Sequence, residues 1–303
     1  MLKKKILILG AAGMLGHVLF KEFFKNNKYQ TYGTTRSKRE LAVFFSKEEI
    51  LNIREGVDAD NFETVVRAFA AIQPDVVINC IGIIKQLPIA EDALVAITVN
   101  AQLPHRLSLI TRVANARLIH ISTDCVFNGS KGNYTEDDKS DSADLYGRSK
   151  FLGEIAYPHC LTLRTSIIGH ELKSERSLID WFLSQSQAVT GFAKAIYSGF
   201  PTIELAHIIS KYIIPNESIS GVYHVSSDPI SKYDLLKIVA DKYGKDIDIT
   251  PEKGFRLDRS LDSKRFMEDA KYSPPSWEQL IEKMKKHYAA EICYKNKREG
   301  MNV

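Results

Sequence analysis

Cysteine is scarce in this chain. Four residues, Cys80, Cys125, Cys160 and Cys293, are spread through 303 positions. They form no CxxC pair and no cluster with histidine, so no zinc site and no other metal site is expected. Cys80 and Cys125 fall in runs that read as buried strand ends, which makes free thiols in a reducing cytoplasm the expectation. Long apolar runs are also missing. No window holds 18 apolar residues, so nothing is expected to span a membrane. The start, Met1-Leu2-Lys3-Lys4-Lys5 before Ile6-Leu7-Ile8-Leu9, imitates a signal peptide, but Gly10, Gly13 and Gly16 interrupt it and a buried first strand explains it better. Charge of one sign is lacking as well: 41 Lys and Arg against 37 Asp and Glu leave +4. No basic stripe with interleaved aromatics marks a nucleic-acid surface. Internal repeats and low-complexity linkers are absent.

What remains is ordinary for a globular protein, with 44% apolar and 26% charged residues. The length suits two domains, or one large domain with an appendage. Apolar runs alternate with helical patterns. Residues 5–9, 30–35, 75–80, 116–122, 160–165 and 221–226 read as strands. Residues 15–26, 62–72, 90–113, 146–156 and 232–243 read as helices. Strands apolar on both faces and separated by helices describe a parallel sheet covered on both sides, an α/β doubly wound fold of Rossmann type. Beyond 166 the alternation loosens. Ser276, with Gln279 in a capping box, starts a last helix at Trp277. The polar stretch 294–303 reads as frayed.

The first strand runs into Gly10-Ala11-Ala12-Gly13-Met14-Leu15-Gly16 and then a helix. Glycines allow a tight turn and a close backbone approach, and the helix N-terminus offers free N–H groups to a pyrophosphate. The spacing is GxxGxxG, and its place between strand and helix points to dinucleotide binding. At the end of the second strand, where an acidic residue would hold the ribose of NAD, stands Arg36, followed by Lys38 and Arg39. A basic residue there favours the 2′-phosphate of NADP, although a solvated basic loop would look the same. Asp58 is a candidate partner for the adenine amino group, or simply a charge near a helix N-terminus.

Tyr146-Gly147-Arg148-Ser149-Lys150 places Tyr and Lys on one helix face. A nearby ammonium is expected to lower the phenol's pKa toward the range of useful proton transfer. Upstream, the strand ending in Ser122-Thr123-Asp124-Cys125 brings Thr123 to the carboxyl edge of the sheet, where ligands bind.

With these motifs the chain resembles the extended short-chain dehydrogenase/reductases, and most of all their dTDP-4-dehydrorhamnose reductase branch, the nucleotide-sugar 4-ketoreductases. The matching runs are GAAGMLG at 10–16, NCIG at 79–82, STDCVF at 122–127, YGRSK at 146–150 with Gly153-Glu154, LRTSIIG at 163–169 and LDRSLDSKRF at 257–266. The resemblance implies Thr123, Tyr146 and Lys150 as the catalytic set. It implies Gly10, Gly13, Met14, Leu15 and Gly16 around the pyrophosphate, and Cys80, Ile81 and Gly82 on the adenosine side. Tyr146 and Lys150 would also touch the cofactor, and Asn100 would support the lysine. NADPH is the implied cofactor, with NADH left open. The implied reaction is reduction of the 4-keto group of a nucleotide-activated 6-deoxyhexose, for surface polysaccharide or rhamnose-type sugar biosynthesis. A homodimer in the cytoplasm goes with it.

Departures from the branch bear on the sugar. Cys125 stands where Tyr is usual, and Ile167 where an aromatic is usual. Lys85-Gln86 and the 169–182 stretch also differ, which points to a related sugar such as an N-acetylated 6-deoxyhexose on UDP. The expected substrate contacts are Lys85, Asp124, Cys125, Ser166 and Trp181. For Trp181, packing in a helix core with Leu178 and Phe182 is the favoured alternative. His170 and His207 show no partner pattern. Two other activities compete. A dehydratase would need an acid pair after Thr123, and Asp124-Cys125 lacks it. An epimerase would hold NAD, which Arg36 disfavours. A non-catalytic NADP-binding regulatory subunit would keep the glycine loop without needing the catalytic set.

The chain is therefore expected to divide at about residue 165. Residues 1–165 would form the cofactor domain and take back roughly 200–226. Residues 166–199 and 227–303 would form the sugar-nucleotide lobe.

Overall fold

Short apolar strands form the centre of the computed structural model, which describes residues 3–39, 41–85 and 88–299. In chain order the strands are β1 (Lys4–Leu9), β2 (Tyr29–Thr34), β3 (Ile53–Arg54), β4 (Val76–Asn79), β5 (Arg117–Ile121), β6 (Cys160–Arg164), β7 (Ile167–Ile168), β8 (Val189–Tyr197), β9 (Phe200–Pro201), β10 (Gly221–His224), β11 (Ile230–Ser231) and β12 (Ile249–Asp258). Seven of them make one sheet in the order β10-β6-β5-β4-β1-β2-β3, and every pairing in it is parallel. Side chains alternate through it. Ile6 and Ile8 join one core, while Leu7 and Leu9 join another on the opposite face. All four are fully buried, as a sheet covered by helices on both sides requires.

The chain leaves β1 in one direction, to β2 and β3, and then returns to β4 on the other flank. That reversal makes β1 and β4 the switch point, and ligands of such sheets lie in the crevice beyond the strand carboxyl ends there. The loops after β1, β4, β5 and β6 all open at that edge.

The helical stretch expected over 90–113 is one course with a wider turn inside it: α-helical at Ala93–Ala96, π-helical at Ile97–Gln102, and α-helical again at Leu103–Val113. Pro104 explains the change. It has no N–H for the carbonyl four residues back, that of Asn100, and its ring would press on that oxygen. The helix expected over 146–156 is the shorter Leu145–Leu152, with Gly153 as its C-cap sharing its N–H between the Ser149 and Lys150 carbonyls. Cys125 is in a 3-10 turn, Asp124–Val126, rather than in a strand.

A second sheet of three strands, β11-β8-β12, follows in the later part. Its long strands went unread because β12 carries Pro251, Gly254 and several charges, and lies mostly exposed. The Ser276–Gln279 capping box is present, with Ser276 N donating to Gln279 Oε1 at 3.0 Å and Gln279 N to Ser276 Oγ at 3.4 Å. The last helix runs Trp277–Glu299, so the stretch expected to fray is helical that far, and residues 300–303 lie outside the described residues, as do the Cys293 side chain and Gln86. Among the described residues no helix is long and apolar enough to cross a membrane.

A Cβ on Gly153 would collide with the Asn100 carbonyl oxygen. Gly153→Ala should therefore lower stability by about 1–3 kcal/mol, an overpacking cost. Urea unfolding measures this, and a neutral result would show that the helix can back away freely.

Candidate active site

The loop after β1 is built to hold an anion. Gly10 has φ +83°, a conformation that favours glycine, and its carbonyl accepts from Gly13 N at 3.0 Å. A Cβ on Gly16 would strike that same carbonyl. Helix α1 (Met14–Lys25) then begins with Gly13 as its N-cap, with no side chain capping it and no acid in its first turn. Its first N–H groups and its positive dipole end are left for a ligand. The residues present therefore fit a pyrophosphate. The loop after β4 meets this one, since a Cβ on Gly10 would come 3.1 Å from Ile81 Cγ1. Asn79 Oδ1 accepts from Ile81 N at 3.1 Å and fixes that loop, which carries Cys80 and Gly82. Arg36 is exposed just past β2. Asp58 precedes the helix Phe62–Ile72, and its Oδ1 closes a local turn by accepting from Asp60 N at 3.2 Å.

The helix Leu145–Leu152 lies across the end of β5. Asp144 caps it, accepting from Gly147 N at 2.7 Å. A Cβ on Gly147 would collide with the Cys125 carbonyl, so this glycine lets the helix approach the Thr123–Cys125 turn. Lys150 Nζ donates to the Ile121 carbonyl at 2.7 Å. The Thr123 hydroxyl donates to Asp124 Oδ1 at 3.1 Å, accepts from Cys125 N at 3.1 Å, and lies beside the Tyr146 phenol. Asn100 does not reach Lys150 directly. Its Oδ1 accepts from Ile83 N at 2.9 Å and its Nδ2 donates to Ser149 Oγ at 3.2 Å, so it steadies the residue beside the lysine. Thr123, Tyr146 and Lys150 are thus brought together at the crevice edge.

Burial dominates the charges. It pushes the Tyr146 phenol upward, assisted by Cys125, Asp124 and Asp144, with Thr123 working the other way. This corrects the expectation of a phenol lowered by its lysine, because the ammonium is turned to the Ile121 carbonyl and burial decides. Burial also lowers Lys150 to about 8, with Glu154 and Cys80 opposing. It raises Asp124 against the pull of Arg259, and it raises the Cys80 and Cys125 thiols to about 12.

The expected substrate contacts are only partly gathered. Cys125 Sγ accepts from Arg259 Nη1 at 3.4 Å, and Arg259 Nε donates to the Phe127 carbonyl at 2.8 Å. Lys85 Nζ pairs with Asp144 at 2.8 Å, at the cap of the catalytic-site helix. Ser166 lies beside the buried Tyr197 hydroxyl. Trp181 is 39% exposed, while Ile179 and Phe182 of its helix are fully buried. The core-packing reading for it is wrong. On this helix the inward stripe runs through 179 and 182, and 181 turns away. His170 also departs from expectation: it is hydrogen-bonded to Asp180 and to the Tyr243 hydroxyl, partners distant in sequence. Sequence reasoning missed Arg259 and Tyr197, whose contacts are long-range. It also missed Glu154, although Glu154 continues the Tyr146–Lys150 spacing.

The fold and this edge define a nucleotide-binding α/β protein with a Thr, Tyr and Lys set at its crevice. The chain belongs to the RmlD substrate binding domain family, whose model matches residues 4–290. Methionine adenosyltransferase 2 subunit beta of Danio rerio is 27% identical over 253 residues, 79% of this chain and 74% of that protein. The dTDP-4-dehydrorhamnose reductase of Aggregatibacter actinomycetemcomitans is 27% identical over 249 residues, 78% of this chain and 79% of its own length. A solved dTDP-4-dehydrorhamnose reductase from Bacillus anthracis, in complex with NADP, shares the fold with a TM-score of 0.78 at 22% identity, covering 95% of this chain and 99% of that one.

The depressed Lys150 makes stability depend on pH in a stated direction. Its folded value of about 8 lies below the ordinary 10.5, so the unfolded chain binds more protons between the two. Stability from this group rises with pH across that window. Compared with Lys150→Met, wild type should therefore gain in urea unfolding as pH rises from 8 toward 10.5. A constant difference would mean the lysine is not held in a desolvated place.

Proposed function

We propose that the protein is an NADPH-dependent reductase of the 4-keto group of a nucleotide-activated 6-deoxyhexose. One observation carries this reading: Tyr146, Thr123 and Lys150 converge at the crevice edge of a sheet whose first loop fits a pyrophosphate. Family membership and the dTDP-4-dehydrorhamnose reductase relative support it.

Bound dinucleotide supplies the hydride. The protein supplies the proton and the geometry. A half-buried phenol that keeps its proton suits reduction, because Tyr146 must give a proton to the oxygen that becomes the alcohol. Thr123 turns its hydroxyl from Asp124 to that oxygen and holds it in place. Lys150, anchored on the Ile121 carbonyl, presents its remaining N–H groups toward the loop carrying Gly82, where a Cβ would stand 3.7 Å from Nζ. Arg36 is exposed past β2, which supports its pairing with a 2′-phosphate. Cys125 stands where the resembled branch usually carries tyrosine, a departure that supports a related sugar such as an N-acetylated 6-deoxyhexose on UDP.

A second reading is a binding subunit without turnover. The methionine adenosyltransferase 2 subunit beta relative favours it, and the complete Thr, Tyr and Lys set speaks against it.

Oxidation of NADPH by dTDP- and UDP-linked 4-keto-6-deoxyhexoses separates these readings. Tight NADPH binding with no turnover of any of them would favour the binding subunit, and exclusive use of dTDP-4-dehydrorhamnose would sink the UDP sugar. Tyr146→Phe should lose at least about 100-fold in kcat, the range of a general acid, while its NADPH Kd stays near wild type. Near-normal turnover would remove Tyr146 from the chemistry. Arg36→Glu should weaken NADPH binding about tenfold or more, as loss of a charge-assisted hydrogen bond does, with NADH binding little changed. Equal effects on both cofactors would place the 2′-phosphate elsewhere.

A further inference from the structure

Tyr146, Lys150 and Glu154 recur at four-residue spacing, and all three lie along the end of one strand. Tyr146 lies beside Thr123. Lys150 is anchored on the Ile121 carbonyl, as described above. Glu154, just past the helix end, accepts from Ser122 Oγ at 2.8 Å on its Oε1. The row 146, 150 and 154 thus meets three consecutive residues, 121 to 123, at and just past the end of β5.

Glu154 is held in turn from β6. Arg164 Nε donates to Oε1 at 2.9 Å and Nη2 donates to Oε2 at 2.7 Å. The two side chains are 6% and 5% exposed. Arg164 also contacts His224 Nε2 at 3.2 Å and lies over the Phe127 ring. Taking two charges out of water is costly, and an apolar pair of the same shape is often as stable. Stability alone therefore gives a poor account of this pair, and its two neighbours give a better one. Ser122 adjoins Thr123. Lys150 faces Glu154, and the other titratable groups around Lys150 are Cys80 from the β4 loop and His120 from β5. Burial keeps the Cys80 thiol protonated, at about 12, and holds the His120 imidazole neutral. Glu154, ion-paired with Arg164, is the carboxylate among these.

We propose that Glu154 is a positioning residue for the ketone reduction. Through Ser122 it fixes the strand end that presents Thr123, and its carboxylate is the anion facing Lys150, with Arg164 as its counter-ion. The proposal rests on the reductase reading above, and its test separates the two.

Glu154→Gln keeps the shape and the acceptor for Ser122 but removes the charge. Lys150 acts as an ammonium, so the rate falls as pH rises through its deprotonation. Losing the facing anion makes deprotonation easier. The alkaline limb of the kcat profile should move to lower pH by about one unit. A purely structural role would lower Tm and leave that limb in place. Ser122→Ala keeps the charge and cuts the tie to the strand, so kcat should fall about tenfold, as for one lost hydrogen bond, with the limb unmoved. A folded Glu154→Gln protein with the wild-type limb, or Ser122→Ala with wild-type kcat, overturns the proposal. If Glu154→Gln leaves Arg164 unpaired and does not fold, Glu154→Gln with Arg164→Met removes both charges and must show the same shift. Should wild type turn over no nucleotide sugar, the reductase reading fails by itself. NADPH affinity against pH, in wild type and Glu154→Gln, then reads the Lys150 charge without any sugar, and identical curves overturn the role of Glu154.

Discussion

How near one helix can come to one strand end decides the geometry of this site. The helix Leu145–Leu152 touches the Cys125 carbonyl at Gly147 and the Asn100 carbonyl at Gly153, and neither contact has space for a Cβ. Without that approach Tyr146 and Lys150 would lift away from Thr123 and Ile121. The constraint reaches further back. Asn100 lies in a π-helical turn beside Pro104, and the wider turn turns its carbonyl toward Gly153 while its side chain ties Ile83 to Ser149. Two glycines, one proline and one asparagine, none of them a reactive group, therefore set the positions of the reactive ones.

Closeness has an electrostatic consequence. Lys150, Asp124 and the Glu154–Arg164 pair are withdrawn from water in one region, with Tyr146 half-buried beside them. Desolvation favours the neutral form of each titrating group, and the structure balances this unevenly. Tyr146 and Asp124 are driven toward their protonated forms, and Lys150 keeps its charge near neutrality only against a strong downward pull. Protonated acids beside a marginal cation suit a site that gives a proton to an oxygen. They suit poorly a site that must begin by taking one. The stability that such burial costs is carried by the central strands, whose two faces are both packed.

Much of this was legible in the sequence because it is local. The helix at 62–72 and the one at 232–243 follow from apolar residues at helical spacing and match the structure at both ends. The phosphate loop is readable because strand, glycines and helix are contiguous. The Tyr146–Lys150 pair is readable because helical geometry fixes it. The failures are long-range or half-exposed. β12 looks unlike a strand because one neighbour, β8, supports it and much of it meets solvent. The upward push on the Tyr146 phenol comes from burial, a property of the whole fold that spacing along one helix does not carry. His170 gained partners from residues 180 and 243, which no local pattern announces. Glu154 was visible as a spacing but had no meaning until Ser122 and Arg164 arrived from two other strands.

The substrate side follows the same logic of distant segments. Arg259 belongs to the chain after β12, yet the residues around it are stitched to the loop that follows Cys125. Asp258 N donates to the Gly129 carbonyl at 2.8 Å, Tyr134 N to that of Ser260 at 2.8 Å, and Asp262 N to that of Tyr134 at 2.7 Å. The wall carrying Arg259 and the loop carrying Thr123, Asp124 and Cys125 are thus joined by backbone hydrogen bonds. Cys125 is where they meet, since its sulfur accepts from Arg259. Position 125 is therefore set by two distant segments at once, the turn that follows β5 and the chain that follows β12.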